Sequence, residues 1–249
     1  MISARLILRR SVTLAASLMA MLSLIVLSGA EAQLGKPEGL YYKSWAIVIG
    51  IEQYVLAPPI PGAIKDAKKV AEAFRQLGFD EVVELYDKDR SYLVPFDAPI
   101  NSSTKSITVE QLKEFARRSA SAHTLLILDA PVFGWETTEA PGLSLEGRMA
   151  PESDTERRAV QVVSAASRGE MVSRSDQGSR FVEAFLGGLS GTADLDGNGW
   201  LTASELGSYL VRQVEVTSGG LQHPSSLRID GDGDMVLVEG KTSRGSAVK

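Results

Sequence analysis

The sequence predicts an α/β domain with a mainly parallel sheet, and three stretches carry that expectation. Leu125–Leu128 is an unbroken apolar run with no polar face, as suits a central parallel strand covered by helices on both sides. Ala159–Ala165 is a second short apolar run of strand type. Trp45–Ile49 reads as a buried strand, and after it come a one-faced helical pattern and another strand, Glu81–Leu85. With 249 residues and 44% hydrophobic content, the chain can bury one good core or two small ones.

In chain order, residues 1–32 read as a secretory signal peptide. Arg5, Arg9 and Arg10 precede an apolar run from Val12 to Leu27, and Ala30-Glu31-Ala32 fits a small-x-small cleavage pattern. The alternative is an uncleaved membrane anchor, although the run is near the lower length limit for spanning a bilayer. Cleavage removes three of 26 basic side chains and one of 31 acidic ones, leaving a net charge of about −7. Such a chain offers no basic patch to nucleic acid and is repelled by anionic membrane surfaces. It is expected to be exported, to the periplasm or beyond the cell, with no membrane association after cleavage. It has no cysteine, so an oxidising compartment has nothing to cross-link and the core alone must hold the fold.

The mature domain is expected over 33–239, with a disordered tail over 240–249. Gln33–Gly39 is a polar lead-in, and Pro58 and Pro59 mark a loop. Pro61 opens a helix whose Ile64, Ala67, Val70, Ala71, Phe74 and Leu77 share one face, and Gly78 stops it. Thr108 and Gln111 have capping-box spacing ahead of a helix with Val109, Leu112, Phe115 and Ala116 on its apolar stripe. Glu136–Arg157 lacks any period and reads as a mobile loop. Gly178–Leu189 reads as a helix and Asp234–Glu239 as a last strand.

Between the last two helices lies ADLDGNGWLTASEL, which carries its own chemistry. Asp194, Asp196 and Asn198 hold positions one, three and five of an EF-hand loop, Gly199 holds six and Glu205 twelve. Oxygen-bearing side chains at alternate positions converge on a hard cation because the glycine folds the loop back on itself. Trp200 would give its backbone carbonyl at seven, Thr202 would act at nine directly or through water, and Glu205 would clamp the ion with both oxygens. Leu201 at eight anchors the loop to the core. The expected ligand is Ca²⁺, weakly held, at about 10⁻⁴ to 10⁻³ M; the alternative is an acidic turn. Asp230, Asp232 and Asp234 have Lys241 at the twelfth position and read as a turn into the last strand.

The block KSWAIVIGIEQY, GAIKDAKKVAEAFRQLGF, VVELYD, together with HTLLILDAPVFG, resembles the caspase-like cysteine peptidases, especially bacterial metacaspase-like members. The resemblance implies a three-layer α/β/α sandwich. It also implies that the strand at Leu125 runs into an Asp-Ala-Cys or Asp-Ser-Cys triplet bearing the nucleophile. Here the triplet is Asp129-Ala130-Pro131, and a pyrrolidine ring has neither thiol nor hydroxyl to activate. The family's segment with the His-Gly of the catalytic histidine is missing as well, since Tyr92–Ala98 follows Arg90 almost at once. A central strand is therefore expected to be absent, or replaced by Tyr92–Phe96. His123 and His223 lie outside any His-Gly context and read as polar strand-edge and loop residues.

In such relatives the acid before the nucleophile helps to receive a basic substrate side chain. Asp129 is thus either a surviving binding determinant or a carboxylate that ends a strand, with Asp66 and Glu52 as further acids near the cleft. An embedded calcium loop also occurs in bacterial members. The expected protein is a catalytically inactive pseudo-peptidase that binds calcium and acts on a protein or peptide partner by binding or regulation. The alternative is an active relative, or another hydrolase, that cleaves after basic residues with a substituted nucleophile. Ser246 and Lys249 match a Ser-x-x-Lys pattern but lie in the tail.

Overall fold

The computed structural model describes residues 33–35, 37, 39–53, 58–86, 109–131, 155–167 and 170–241. The signal-peptide stretch, Thr108, the Tyr92–Ala98 segment, the expected loop at 136–157 except its last three residues, and the tail from 242 lie outside them. The chain divides into Met1–Gln33 and Leu34–Lys249, and the fold described is that of the second unit.

Ten strands and four α-helices are described: β1 (Gln33–Gly35), β2 (Trp45–Gly50), α1 (Ala63–Gln76), β3 (Glu81–Tyr86), α2 (Val109–Arg118), β4 (His123–Pro131), β5 (Ala159–Ala166), β6 (Arg174–Ser175), β7 (Gly178–Ser179), α3 (Arg180–Gly187), β8 (Trp200–Thr202), α4 (Ala203–Thr217), β9 (Ser225–Gly231) and β10 (Val236–Lys241). A π turn, Gly188–Thr192, follows α3. Pairing is parallel between β2 and β3 and between β4 and β5, and antiparallel for β5–β9, β8–β10 and β6–β7. The fold is α/β, with parallel pairs β2–β3 and β4–β5 and antiparallel strands beside them.

The parallel pairing expected of the sheet is found in β2–β3 and β4–β5. β2 pairs only with β3, and β4 pairs only with β5, among the described residues. β2 and β4 do not pair with one another among the described residues, and Tyr92–Phe96, the expected replacement for a central strand, lies outside them. The buried centre is instead β5, flanked by β4 and β9 and buried at every residue. β4, read from sequence as covered on both faces, is only half-buried from Thr124 to Leu128. β2 alternates exposed and buried residues, so Trp45 (56% exposed) and Ile47 (62%) open outward beside Val83 and Leu85 of β3.

The inner face is a core shared by both parallel pairs. Ala46 and Val48 of β2 join Ala71 and Phe74 of α1, Val163 and Ala165 of β5, Phe181 and Phe185 of α3, and Leu206 and Leu210 of α4. Leu125 and Ile127 of β4 pack against it. Side-chain packing therefore joins what no ladder joins.

Helix ends are specified locally. Gly78, at φ 84°, ends α1 in a Schellman turn: Gly78 N–H donates to the Arg75 carbonyl and Phe79 N–H to that of Phe74, with the two Phe rings 4.7 Å apart. Ser179 accepts from Val182 N–H at the start of α3. Thr202 and Glu205 form a capping box at the start of α4. Arg158 closes the far end of α2 by donating to the carbonyls of Ala116, Arg117, Ser119 and Ser121. Among the described residues no helix is long and apolar enough to cross a membrane.

Candidate functional site

The carboxyl ends of parallel strands are where open α/β folds place ligands, and Asp129 lies there, near the end of β4. Its Oδ1 accepts from Ser179 Oγ at 2.7 Å. The same serine's backbone N–H donates to Asp66 Oδ2 at 3.0 Å, so Ser179 bridges two carboxylates from separate elements. Asp66, in the first turn of α1, is only 3% exposed. Its Oδ2 also accepts from Arg174 Nη2 at 2.6 Å, and its Oδ1 from Lys69 Nζ at 3.4 Å. Gly178, at φ 135°, lies against that carboxylate so closely that a Cβ would sit 2.1 Å from Oδ1. Glu52 does something else: its carboxylate accepts from Gly62 N–H at 2.6 Å and so fixes the entry to α1.

Burial pushes the Asp129 carboxyl up from its ordinary value; the Ser179 hydrogen bond and the Arg174 charge oppose that, and the charge on Asp66 adds to it. The carboxylate is crowded by protein on one side while the residue as a whole is exposed. Exposure is the firmer guide to solvent screening here, so the upward push is a local effect and no large store of stability. Pro131 closes β4 opposite Ala166.

The second arrangement is the acidic loop. Asp194, Asp196 and Glu205 each present a carboxylate oxygen within 4.8 Å of the other two. Asp194 accepts from the N–H groups of Gly197 and Gly199, both at 2.9 Å, Asp196 from Asn198 N–H at 3.0 Å, and Asn198 Oδ1 from Trp200 N–H at 2.7 Å. These bonds fold the loop inward, with Gly197 and Gly199 at positive φ. Trp200–Thr202 then pairs with β10 and buries Leu201 in the core. Glu205, 1% exposed, is the inner wall. Its Oε2 accepts from Thr202 N–H at 3.0 Å and Thr202 Oγ1 at 2.8 Å, and its Oε1 is buried with no hydrogen-bond partner. Burial raises the Glu205 carboxyl above its ordinary value; the Thr202 bonds oppose this, and the charges of Asp196 and Asp194 add to it. A desolvated carboxylate oxygen beside two more carboxylates fits a hard divalent cation. Asp230, Asp232 and Asp234 do not converge: they face Arg158, Arg157 and Gln161 respectively.

His123 does not reach Asp129. His123 is six residues upstream on the same strand, roughly 20 Å away at about 3.3 Å per residue. It is buried, with Nε2 2.8 Å from the Arg157 carbonyl and its ring edge-on to Tyr41. His223 is a loop residue that the sequence left without a partner, and the structure supplies one. Its Nδ1 lies 2.6 Å from Glu170 Oε1, and its N–H donates to Oε2 at 2.8 Å. Ser167 is beside it, but its hydroxyl donates to the His223 backbone carbonyl at 3.0 Å and not to the ring. The turn that holds Ser167 and Glu170 thus meets the His223 loop, with the Ser167 hydroxyl proton directed to the main chain. Sequence reading singled out none of Arg174, Ser179, Ser167 or Glu170, and read His223 only as a loop residue. Their partners are far away in the chain, 108 residues in the case of Arg174 and Asp66, and only the Ser-Arg start of α3 resembles a cap signal.

These features describe an α/β domain in which β4 ends in proline and two carboxylates meet Ser179 near its carboxyl end. Residues 43–128 match the caspase domain family, and that stretch of the chain is caspase-like. The match covers about a third of the chain and stops one residue short of Asp129. No curated protein matches the chain. With no cysteine at any position, the thiolate chemistry of that family has no nucleophile here.

Proposed function

We propose that this is an exported, catalytically inert caspase-like protein that binds calcium through its 194–205 loop and acts by holding a peptide or protein partner. The observation that carries the reading is Glu205: a buried carboxylate whose Oε1 has no hydrogen-bond partner, in a cluster with Asp194 and Asp196. An orphaned buried charge is costly, and a divalent cation supplies what it lacks. Asp194, Asp196, Asn198, the Trp200 carbonyl, Thr202 and Glu205 would hold the ion. Bound calcium would neutralise three carboxylates and tie the π turn to α4. Export is supported by the charged, apolar and small-residue zones of residues 1–32.

Partner binding is assigned to the cleft at Asp129, where Asp129 and Asp66 offer two carboxylates to a basic side chain. The remaining reading, hydrolysis by a substituted nucleophile, has Ser167, His223 and Glu170 in its favour and the direction of the Ser167 hydroxyl against it. The deciding experiment is a thermal melt of residues 33–249 with millimolar calcium and with chelator, alongside Glu205→Gln. A midpoint raised by calcium in the parent alone supports the reading. Equal midpoints in calcium and chelator for the parent would sink it.

A further inference from the structure

The Asp129–Asp66 pair is not an open acidic surface, because an arginine of the same chain lies against Asp66. Arg174 sits on the short hairpin β6–β7, and its Nη2 donates to Asp66 Oδ2 at 2.6 Å. The guanidinium lies against the start of α1, where a Cβ on Gly62 would come within 3.0 Å of it. Its charge also acts on Asp129. Ser179, on the other strand of the hairpin, bridges the two carboxylates. Glycines at Gly62 and Gly178 leave the backbone room to approach a planar cation and its carboxylate. The result is a guanidinium site of matched charge, occupied from within.

The hairpin is anchored independently of Arg174. Ser173 N–H donates to the buried Gln222 Oε1 at 2.7 Å, Lys69 Nζ donates to the Gln177 carbonyl at 2.6 Å, and Ser175 bonds Glu183. The Arg174 side chain is 25% exposed. It can therefore leave by rotation about its own bonds while the backbone stays.

We propose that Arg174 is a built-in occupant of the acidic cleft, standing where the basic side chain of a partner would bind and keeping the resting domain closed to such ligands. The proposal rests on the reading that this cleft receives a basic side chain. A partner gains entry by displacing one guanidinium with another, so affinity is set by competition with an intramolecular ligand.

The test uses agmatine, an alkylguanidinium, as the probe, with melts of the parent, Arg174→Ala and the double variant Arg174→Ala/Asp66→Asn at matched ionic strength. Agmatine at about 10 mM should raise the Arg174→Ala midpoint by about 2–4 °C and leave the parent and the double variant unmoved. An equal rise in parent and Arg174→Ala would overturn the plug while leaving the cleft a basic-side-chain site. No rise in a cooperatively melting Arg174→Ala would remove both ideas together. Should Arg174→Ala fail to melt cooperatively, restoration by agmatine supports the proposal. Restoration only by the added Asp66→Asn change reduces Arg174 to a neutralising charge and overturns it.

Discussion

Thr202 and Glu205 cap one another across the first turn of α4: Glu205 N–H donates to Thr202 Oγ1 at 3.2 Å, and Thr202 returns two hydrogen bonds to Glu205 Oε2. One oxygen of the carboxylate therefore serves the helix, and the other is buried with no hydrogen-bond partner. Helix start and metal loop share a side chain, so their energetics are coupled.

That coupling makes Glu205→Gln a substitution with two signs. In chelator the variant should be more stable than the parent by about 1–3 kcal/mol, because a neutral amide relieves a buried, unpaired carboxylate oxygen. In calcium the order reverses. If the site has a Kd of about 10⁻⁴ M, calcium at about 10 mM stabilises the parent by about 2.7 kcal/mol, a rise of roughly 5–10 °C. Urea melts in both buffers check the crossing, and a variant weaker in both would contradict it.

The pH dependence follows from opposite shifts on two glutamates. Glu205 is raised, so its ionisation costs the calcium-free fold, and the stability associated with it is present below its ordinary range and lost as pH rises through the raised value. Without calcium, the advantage of Glu205→Gln over the parent should therefore shrink on acidification.

Glu170 behaves in the reverse sense. Desolvation pushes it up, but hydrogen bonds from the His223 N–H and ring and from Ser167 N–H, with the His223 charge, outweigh that and hold it below its ordinary value. Its contribution is present above the ordinary value of 4.5 and lost as pH falls through the lowered one. Glu170→Gln should thus flatten the acid limb of the stability profile, measured as urea midpoints between about pH 3 and 5. An unchanged limb would show that the His223 contact contributes nothing in solution.

Ser179→Ala removes a helix cap and the bridge to Asp129 at once. The cap alone is worth about 0.5–2 kcal/mol, and loss of that amount is expected in a chemical melt. Gly178→Ala should cost more, since its Cβ meets the Asp66 carboxylate and its φ of 135° suits only glycine. A Gly178→Ala variant as stable as the parent would mean that the hairpin shifts without penalty.

No turnover of Arg- or Lys-ending peptides is expected with or without calcium. Cleavage that tracks the protein through purification and is lost in Ser167→Ala would assign the chemistry to the Ser167–His223 turn instead.

Much of the fold was legible because its signals are local. The β2–α1–β3 block carries its periodicity and its glycine stop within a few dozen residues, and the 194–205 loop carries its spacing within twelve. β9 was missed: Ser225–Gly231 is polar and only partly buried, and it is a strand because β5 offers it an edge. β2 was read as buried because an apolar run does not say which face is covered; its inner residues pack on α1 while Trp45, Ile47 and Ile49 stay outside. At the cleft, Asp129 was visible as a strand-end acid. Arg174 was not, since nothing in the local sequence links it to a carboxylate 108 residues earlier.

Among the described residues the boundary between β2–β3 and β4–β5 is one of side chains. Helices α1 and α3 splint it through Phe74 and Phe185, whose rings are 6.1 Å apart, while no main-chain ladder crosses it among the described residues. Packing without a ladder yields at lower free energy than a continuous sheet, so β2, α1 and β3 form a module that can part from the rest before the whole domain unfolds. Amide protons of β2 and β3 should then exchange faster than those of β5, which is clasped on both edges. Protease nicking should follow the same line, making the domain shed one flap at a time.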